Sequence, residues 1–341
     1  MTTSPEAPEP NFSHLISMTN ERGTFEHALF SEPRPEHGFC TDDMARVLVV
    51  TTREREPEAA VRDLALLSSS FLLGALDAQG KCRNRMNRYG SWEDVPALDD
   101  CWGRCIWGLG TALTRSDDRL IRELSASGLE RAMTQRSLWP RAMAFAALGA
   151  ADVLSTDPDN ASAHSLLTDA ADAMTVLGHR RGWPWPEPRL TYANAVLPEA
   201  MIAAGSVLAR PALQRRGLDL LEWLLARETG RGHLSVTPVG GSGPEDRGPG
   251  FDQQPIEAAA LADACVRALD VDGGHQWRDG ITTATDWFLG GNDGGVPMWD
   301  ARTGGGFDGL QPSGPNLNQG AESTLAFLST MQHARLAAAV H

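Results

Sequence analysis

The feature that most constrains the fold is an alternation between two kinds of helical segment along the chain. Apolar residues recur at helical spacing in eleven segments, whereas alternating strand patterns are scarce. Six segments, such as residues 140–154, are small and apolar nearly all round, and the five between them, such as residues 118–134, carry a charged face. A helix that is apolar on every side is buried, and an amphipathic helix covers it from outside. We therefore predict an all-α protein with an inner and an outer helical layer.

Short connections between these segments set the relative direction of the helices. Consecutive helices joined by short turns run antiparallel, so all six inner helices should point the same way. This arrangement predicts an (α/α)6 toroid, in which the sixth outer element is missing, short, or formed near residues 12–18 (FSHLISM). The predicted helices span residues 42–52, 57–78, 99–114, 118–134, 140–154, 160–178, 195–208, 211–228, 255–269, 274–289 and 320–338.

Length and composition favour one large domain. The chain has 341 residues, of which 42% are hydrophobic. Its opening, MTTSPEAPEP, is acidic and rich in proline, so we expect residues 1–12 to be a flexible N-terminus and residues 13–341 to form a single (α/α)6 toroid domain. We find no signal peptide, no stretch of about 18–20 apolar residues and no paired cysteine framework. We expect a cytoplasmic protein that does not bind membranes.

The formal net charge of −14 restricts the class of partner. Nucleic acid and anionic lipid would both be repelled by the average surface, whereas a neutral ligand would not. Ten tryptophans offer flat faces that pack on ligand rings as readily as in a core. No phosphate loop, dinucleotide fingerprint, nucleophile elbow or zinc-ligand spacing is present. We therefore predict no cofactor and no metal.

The loops predict where a functional site lies. Those that precede the inner helices are long and chemically rich, for example residues 83–100, whereas those that follow them, such as residues 51–58, are short. The six inner N-termini converge on one face together with the long loops. We expect function at that face.

Acidic pairs open the first two inner helices. Asp42 and Asp43 follow Thr41, a candidate N-cap, and Asp99 and Asp100 repeat the arrangement. Acids in a first turn also complement the helix dipole or pair with an arginine on the same helix, so a structural role is an equal alternative. Because adjacent acids rarely point to one place, we expect one of each pair to cap its helix and the other to face the cavity.

Amides and further acids precede the last two inner helices. Amides both donate and accept hydrogen bonds, as hydroxyl-rich ligands require. The structural alternative is that Asp252 and Asn318 cap their helices, with Pro255 as the first helical residue. We nevertheless expect at least one residue of the FDQQ segment to contact ligand. The candidates in these two segments are Asp252, Gln253, Gln254, Glu257, Asn318, Gln319 and Glu322.

The remaining substrate-binding candidates come from the other loops and from the first turns of inner helices. Aromatic rings between prolines could present flat faces to a pyranose, or could close the hydrophobic seam between loops. A loop histidine beside the first acidic pair could join the site, although such a residue is more often a bystander. These candidates are His37, Arg104, Trp139, Arg141, Trp183, Trp185, Tyr192 and Asn194.

Six blocks in a fixed order carry a resemblance to known proteins: HGFCTDDMAR, LDDCWGRCIWGLG, RAMAFAALG, LTYANAVLPEAM, FDQQPIEAAALADA and NLNQGAESTLAFL. Taken together, they resemble bacterial six-hairpin carbohydrate-active proteins, which are often found beside or fused to glycosyltransferases. The resemblance covers nearly the whole chain. It implies an (α/α)6 fold, a sugar-related role and a glycosyltransferase as a partner, but it assigns no acid or base by position.

The leading functional hypothesis is a glycoside hydrolase that acts on a neutral oligosaccharide, a mannoside or a glucoside. One carboxylic acid would protonate the glycosidic oxygen, while a second would activate water or attack the anomeric carbon. We predict Asp43 and Asp100 as this pair, with Glu322, Asp252 and Glu257 as reserves.

Two other functions stay open at this point. A sugar epimerase or isomerase would need histidines placed for proton transfer to carbon, such as His37 and His233 facing each other across the cavity. A non-catalytic glycan-binding partner of a glycosyltransferase would bind oligosaccharide and release no product.

Overall fold

The fold comes from a computed structural model, in which residues 7–338, except 177 and 179–181, are described. In this part of the chain, six strands of two or three residues form three two-stranded antiparallel sheets: β1 (Ala28–Leu29) with β2 (Glu32–Pro33), β3 (Phe39–Cys40) with β4 (Arg85–Met86), and β5 (Gly309–Gln311) with β6 (Gly314–Asn316). The α-helices of these residues are α1 (Ser13–Ser17), α2 (Thr41–Arg53), α3 (Ala59–Ala75), α4 (Asp100–Arg115), α5 (Arg119–Ala132), α6 (Pro140–Thr156), α7 (Ala161–Thr175), α8 (Val196–Val207), α9 (Pro211–Glu228), α10 (Pro255–Asp272), α11 (His275–Leu289) and α12 (Ala321–Ala338).

The even-numbered helices form a closed inner ring. Each packs against the next in the order α2, α4, α6, α8, α10 and α12, and α12 returns to α2. The outer helices α3, α5, α7, α9 and α11 each pack against the inner helix that precedes them. The short helix α1 packs on α12 and α3, in the region predicted to supply the sixth outer element. The prediction of an (α/α)6 toroid is confirmed.

Close contact within the inner ring depends on glycine. A Cβ atom at Gly149 of α6 would lie 2.2 Å from the Ile106 carbonyl oxygen of α4, and one at Gly103 would lie 2.2 Å from the Ala142 carbonyl oxygen. Real Cβ atoms do not approach backbone this closely, so a side chain at either position would push α4 and α6 apart. The small residues that make these segments apolar on all sides thus also allow tight packing.

Local sequence signals explain several helix ends. Asp118 caps α5 by accepting hydrogen bonds from the amides of Leu120 and Ile121, and Gly273 ends α10 with a left-handed φ of 70°. The structural ends differ from the predicted ones by at most three residues. The predicted end of α7, at residue 178, lies beside residue 177, which is outside the described residues.

Three predicted caps are not formed as expected. The Cys40 thiol, not Thr41, accepts the amide of Asp43 at the start of α2, because the Thr41 hydroxyl donates to the Arg83 carbonyl. The residue before α10 is Gln254 rather than Asp252, and Pro255 begins the helix as predicted. Asn318 accepts the Phe30 amide and so ties two loops together.

The chain before α1 is partly described. Residues 1–6 of the predicted flexible segment 1–12 lie outside the described residues, whereas Phe12 is buried in a cluster with Leu15 and Leu328.

Within the described residues, no helix is both long and apolar enough to cross a membrane.

Charged side chains from the inner helices also meet inside the ring, away from the loop-rich face. Arg53 of α2 contacts Asp263 of α10 at 2.8 Å, and His333 of α12 contacts the same carboxylate at 2.6 Å. Arg267 of α10 contacts Asp152 of α6 at 3.2 Å. Because buried charges are stable only when paired, this network ties the helices to one arrangement.

Candidate active site

A cavity of about 870 Å³ lies at the end of the toroid where the inner helices begin. First-turn residues of α2, α4, α6 and α12 line it, as do residues of the loops before α8 and α10. The predicted site residues among its lining are Asp42, Asp43, Asp99, Asp100, Arg104, Trp139, Arg141, Tyr192, Asp252, Gln254 and Glu322.

Arg46 joins carboxylates from the first and the last inner helix. Its Nη1 donates to Asp43 Oδ1 at 2.6 Å, and its Nη2 donates to Glu322 Oε2 at 2.7 Å. The Cys40 thiol donates to the second Asp43 oxygen at 3.1 Å, so both oxygens of this buried carboxylate have donors. The Glu322 side chain is 41% exposed, and its Oε1 accepts no hydrogen bond from a described residue.

The pKa of Asp43 reflects two opposing effects. Burial raises the pKa of Asp43 to about 7, although the ion pair with Arg46 lowers this pKa. The negative charge of Glu322 also raises it. Ligand atoms of Glu26, Cys40 and Asp43 lie within 4.8 Å of one another. Arg85 pairs with Glu26, and Arg46 pairs with Asp43, so both carboxylates of this group are already neutralised by protein cations.

A second chain of contacts positions Asp100. The Tyr192 hydroxyl donates to Asp100 Oδ2 at 2.7 Å, and the Arg141 guanidinium lies over the Tyr192 ring at 4.7 Å. Arg141 in turn donates to both oxygens of Glu187, at 2.5 and 2.8 Å. Burial raises the pKa of Asp100, the hydrogen bond from Tyr192 lowers it, and the charge of Asp42 raises it. Asp100 Oδ1 accepts no hydrogen bond from a described residue.

Asp42 and Asp308 are two further partly buried acids of the cavity lining. Asn84 donates to Asp42 Oδ2 at 3.1 Å, and the Arg104 Nε lies 3.7 Å from Asp42 Oδ1. Asp308 Oδ1 accepts the Gly320 amide at 2.8 Å and the Ser323 hydroxyl. Burial raises the pKa of both carboxyls.

Trp139 is the most exposed aromatic side chain of the predicted set. It immediately precedes α6 and is 61% exposed while lining the cavity. An exposed indole at the mouth of a polar cavity can pack on the apolar face of a sugar ring. Tyr192, which is 46% exposed, offers a second aromatic face.

Trp183 and Trp185 lie in the core and not in the cavity. Both are at most 4% exposed and pack against Trp223 of α9, at ring distances of 5.1 and 6.0 Å. Their indole nitrogens donate to Glu187, so they support the residue that holds Arg141. The structural alternative, closure of a hydrophobic seam, describes them correctly.

Glu257 and Asn194 form a buried pair beside the cavity. Glu257 accepts the amides of Ala193 and Asn194 at 2.5 and 3.1 Å, together with the Asn194 side-chain amide at 2.9 Å. Burial raises the pKa of Glu257 to about 7, against these hydrogen bonds, which lower it. Neither residue lines the cavity, because each side chain is used to fix the turn that begins α8.

Three predicted amide residues are also used for structure. Gln253 is fully buried, accepts the Trp287 indole N–H at 3.2 Å and donates to Asp293 at 2.6 Å. Gln319 is 3% exposed and accepts the Thr303 hydroxyl. Asn318 bonds the Phe30 amide, as described above. None of the three lines the cavity.

The histidines do not form an opposed pair. His37 is exposed and packs edge-on against His27 at 4.8 Å, and His233 contacts Asp293 at 3.0 Å. Among the described histidines, which exclude His179 and His341, only His27 lines the cavity.

Several lining residues were not among the sequence candidates. Arg46 was recognisable only as a helical ion-pair partner of Asp43, because its bridge to Glu322 spans 276 residues. Glu187 lies between Pro186 and Pro188 in the WPWPEP segment and shows no pattern of its own. The polar lining residues missed are Glu26, His27, Cys40, Arg46, Arg85, Glu187, Asp308 and Ser323.

Comparison with known proteins identifies the fold. No family model matches the chain, and no curated protein matches it significantly. Its structure is similar to a sugar epimerase from a ruminal bacterium, with 12% identity, a TM-score of 0.71 and 95% of each chain covered. It is also similar to cellobiose 2-epimerase from Spirochaeta thermophila, with 13% identity, a TM-score of 0.65, and 94% of this chain and 93% of that chain covered.

Hydrolases share the same architecture. A GH76 α-mannanase from Bacteroides thetaiotaomicron matches with 11% identity and a TM-score of 0.61, over 89% of this chain and 87% of that chain. The solved structures that the chain resembles are therefore (α/α)6 carbohydrate-active proteins, in agreement with the resemblance of the six sequence blocks. At these identities the likeness shows the fold alone.

Proposed function

We propose that the chain is a glycoside hydrolase that cleaves a neutral mannoside or glucoside oligosaccharide in this cavity. The observation that carries the proposal is the convergence of Asp43, Asp100 and Glu322 from three inner helices on one cavity. Its volume of about 870 Å³ accommodates several sugar rings. Two carboxylates on a shared cavity are what acid and base catalysis of glycoside cleavage requires.

Asp100 supplies the general acid in this proposal. Its raised pKa favours the protonated form, and Oδ1 is free to hold the proton while Tyr192 occupies Oδ2. The proton passes from Asp100 to the glycosidic oxygen as the bond to the anomeric carbon breaks. The leaving sugar departs with a new hydroxyl group.

Glu322 supplies the second carboxylate. Arg46 holds one of its oxygens, and the other is open to deprotonate the attacking water or to attack the anomeric carbon itself. Asp43, part of the predicted chemical pair, has donors on both oxygens and is only 2% exposed. We therefore assign Asp43 to positioning Arg46, and through it Glu322.

A sugar epimerase is the second candidate, because solved structures with this fold include sugar epimerases. Proton removal from carbon and its return on the other face require two bases near that carbon. The positions of His37 and His233 supply no such pair, which favours hydrolysis. A glycan-binding partner of a glycosyltransferase would use the same cavity without turnover.

The test is incubation of the protein with manno-, gluco- and arabino-oligosaccharides, followed by chromatography and mass analysis. Hydrolysis in H₂¹⁸O yields shorter products that carry ¹⁸O. Epimerisation yields a product of unchanged length, which gains deuterium on carbon in D₂O. Shorter, ¹⁸O-labelled products support the proposal, whereas deuterated isomers or the absence of any product contradict it.

A further inference from the structure

Arg104 is the arginine of the cavity whose donors remain unused. Arg46 and Arg141 each bind two carboxylate oxygens, and Arg85 pairs with Glu26. The Arg104 guanidinium donates no hydrogen bond to any residue in the described part of the chain, and its Nε is 3.7 Å from Asp42 Oδ1. That distance exceeds a hydrogen bond.

The unused donors of Arg104 are costly because the residue is buried. The residue is 4% exposed, and both its Nε and Asp42 Oδ1 are buried atoms without a hydrogen-bond partner. A buried polar atom without a hydrogen-bond partner destabilises the folded chain, and the cost is larger for a charged group. The guanidinium lies 4.6 Å above the Phe145 ring, and Asn84 holds the other Asp42 oxygen, so both groups are fixed in place. A fixed donor and acceptor that face a cavity are arranged for a ligand.

We propose that Arg104 and Asp42 form the subsite that recognises two adjacent hydroxyl groups of the bound sugar. This inference rests on the proposed function, since it assumes that the cavity takes a glycan. Two guanidinium N–H groups can donate in parallel to neighbouring oxygen atoms, which matches the spacing of a vicinal diol. Each hydroxyl can also donate, and Asp42 is the acceptor beside it.

The charge of the cavity decides between a neutral and an anionic group at this subsite. Among the described residues, nine carboxylates but only four arginines line the cavity, and three of those arginines already hold carboxylates. A uronate or phosphate bound to Arg104 would lie beside Asp42 and be repelled by it. A hydroxyl carries no charge and satisfies both partners. The subsite therefore selects neutral sugars with unsubstituted neighbouring hydroxyls.

The test compares the wild type with Arg104→Lys on the cleaved oligosaccharide and on its monodeoxy analogues. Lysine keeps the charge but loses the planar pair of donors. We expect wild-type kcat/KM to fall about ten-fold when either recognised hydroxyl is removed, as the loss of one charged hydrogen bond implies. Arg104→Lys should lose about ten-fold on the complete substrate, mainly through KM, and should no longer distinguish the deoxy analogue.

Controls separate a failure of the subsite from a failure of the proposed function. Arg119→Lys, on the surface of α5, should behave as wild type, and circular dichroism should confirm that Arg104→Lys folds. Two results overturn the subsite: an unchanged kcat/KM in Arg104→Lys, or the same loss of kcat/KM on the deoxy analogue in Arg104→Lys as in wild type. In either case, cleavage of the oligosaccharide still supports the proposed hydrolase. If no glycan is cleaved, the same comparison uses calorimetric Kd values, and weaker binding by Arg104→Lys supports the subsite alone. Absence of both binding and cleavage overturns both proposals.

Discussion

The Tyr192 hydroxyl donates a 2.7 Å hydrogen bond to Asp100, a residue 92 positions earlier in the chain. Tyr192 precedes α8 and Asp100 begins α4, so the contact crosses the mouth of the ring between helices that are not neighbours. It leaves one oxygen of Asp100 free and lowers the pKa of a carboxyl that burial raises. The contact thus sets both the orientation and the acidity of the proposed general acid.

Replacing Tyr192 by phenylalanine should move the pH dependence of catalysis. Loss of the hydrogen bond removes an effect that lowers the pKa of Asp100, so that pKa rises. Because the proposed acid acts protonated, the alkaline limb of kcat/KM against pH should shift to higher pH. Tyr89→Phe, at the other tyrosine of the chain, should leave the profile unchanged. If the alkaline limb of the Tyr192→Phe profile stays in place or moves to lower pH, Asp100 does not have this role.

Arg46 should be required for stability as well as for turnover. Arg46→Met leaves Asp43 buried without its cation, which typically costs about 3–5 kcal/mol of unfolding free energy. Arg46→Lys keeps one charge but cannot bind both Asp43 and Glu322 in the same way, so it should be more stable than Arg46→Met and still lose kcat by ten-fold or more. Urea unfolding and initial rates measure the two effects. Equal free energies of unfolding for wild type and Arg46→Met would show that the ion pair of Arg46 with Asp43 does not stabilise the protein.

Glu228 should make the protein less stable as pH rises. Burial raises its pKa to about 8 from an ordinary value of 4.5, and the charge of Glu257 adds to the increase. Its contribution to stability is fully present below pH 4.5 and is lost as pH rises through 8, because the unfolded chain ionises first. Glu228→Gln should therefore narrow the difference in unfolding free energy between pH 6 and pH 9, by on the order of 2 kcal/mol.

Replacing the Glu228 carboxyl by the side-chain amide of glutamine is a conservative change. Oε1 accepts the Thr237 amide at 2.9 Å and its hydroxyl at 2.6 Å, and glutamine can keep both bonds. Glu222→Gln, on the exposed face of the same helix, is the matched control and should keep the wild-type pH dependence. Parallel pH curves for wild type and Glu228→Gln would show that this carboxyl does not titrate as described.

Glycine-to-alanine changes should separate ring packing from helix propensity. Gly149→Ala places a Cβ against the α4 backbone and should lower the free energy of unfolding by about 2 kcal/mol or more. Gly74 is exposed on α3 with no atom within 4 Å of the added carbon, so Gly74→Ala should stabilise by up to about 1 kcal/mol. Thermal unfolding of both variants measures the difference. Similar effects of the two changes would mean that α4 and α6 are not held as closely as described.

The architecture was predictable because it follows from periodicity. Segments apolar on every side alternate with amphipathic ones, and that pattern alone determines which helices lie inside. Acids in the first turns of inner helices, such as Asp43, Asp100 and Glu322, then meet because the inner helices are parallel. For these residues, the local sequence pattern and the common direction of the inner helices were enough to predict that they line one cavity.

The limits of the sequence prediction are equally physical. Whether an indole faces a cavity or a core depends on tertiary contacts, so Trp139 and Trp183 could not be distinguished by spacing. Buried amides such as Gln253 resemble sugar ligands in sequence but are used to satisfy neighbouring polar groups. Partners distant in the chain, such as Arg46 with Glu322, leave no local signal.

If a cavity carboxylate breaks the glycosidic bond by delivering a proton, Asp100→Asn should release shortened products much more slowly than the wild type. Asparagine keeps the size of the side chain and an acceptor for Tyr192, but it cannot deliver a proton. We expect kcat to fall at least about 100-fold, with the oligosaccharide Kd within a few-fold of wild type. The control Asp246→Asn, at an exposed position of the loop before α10 and outside the cavity lining, should cleave normally. An Asp100→Asn protein that releases shortened products at the wild-type rate would contradict the account.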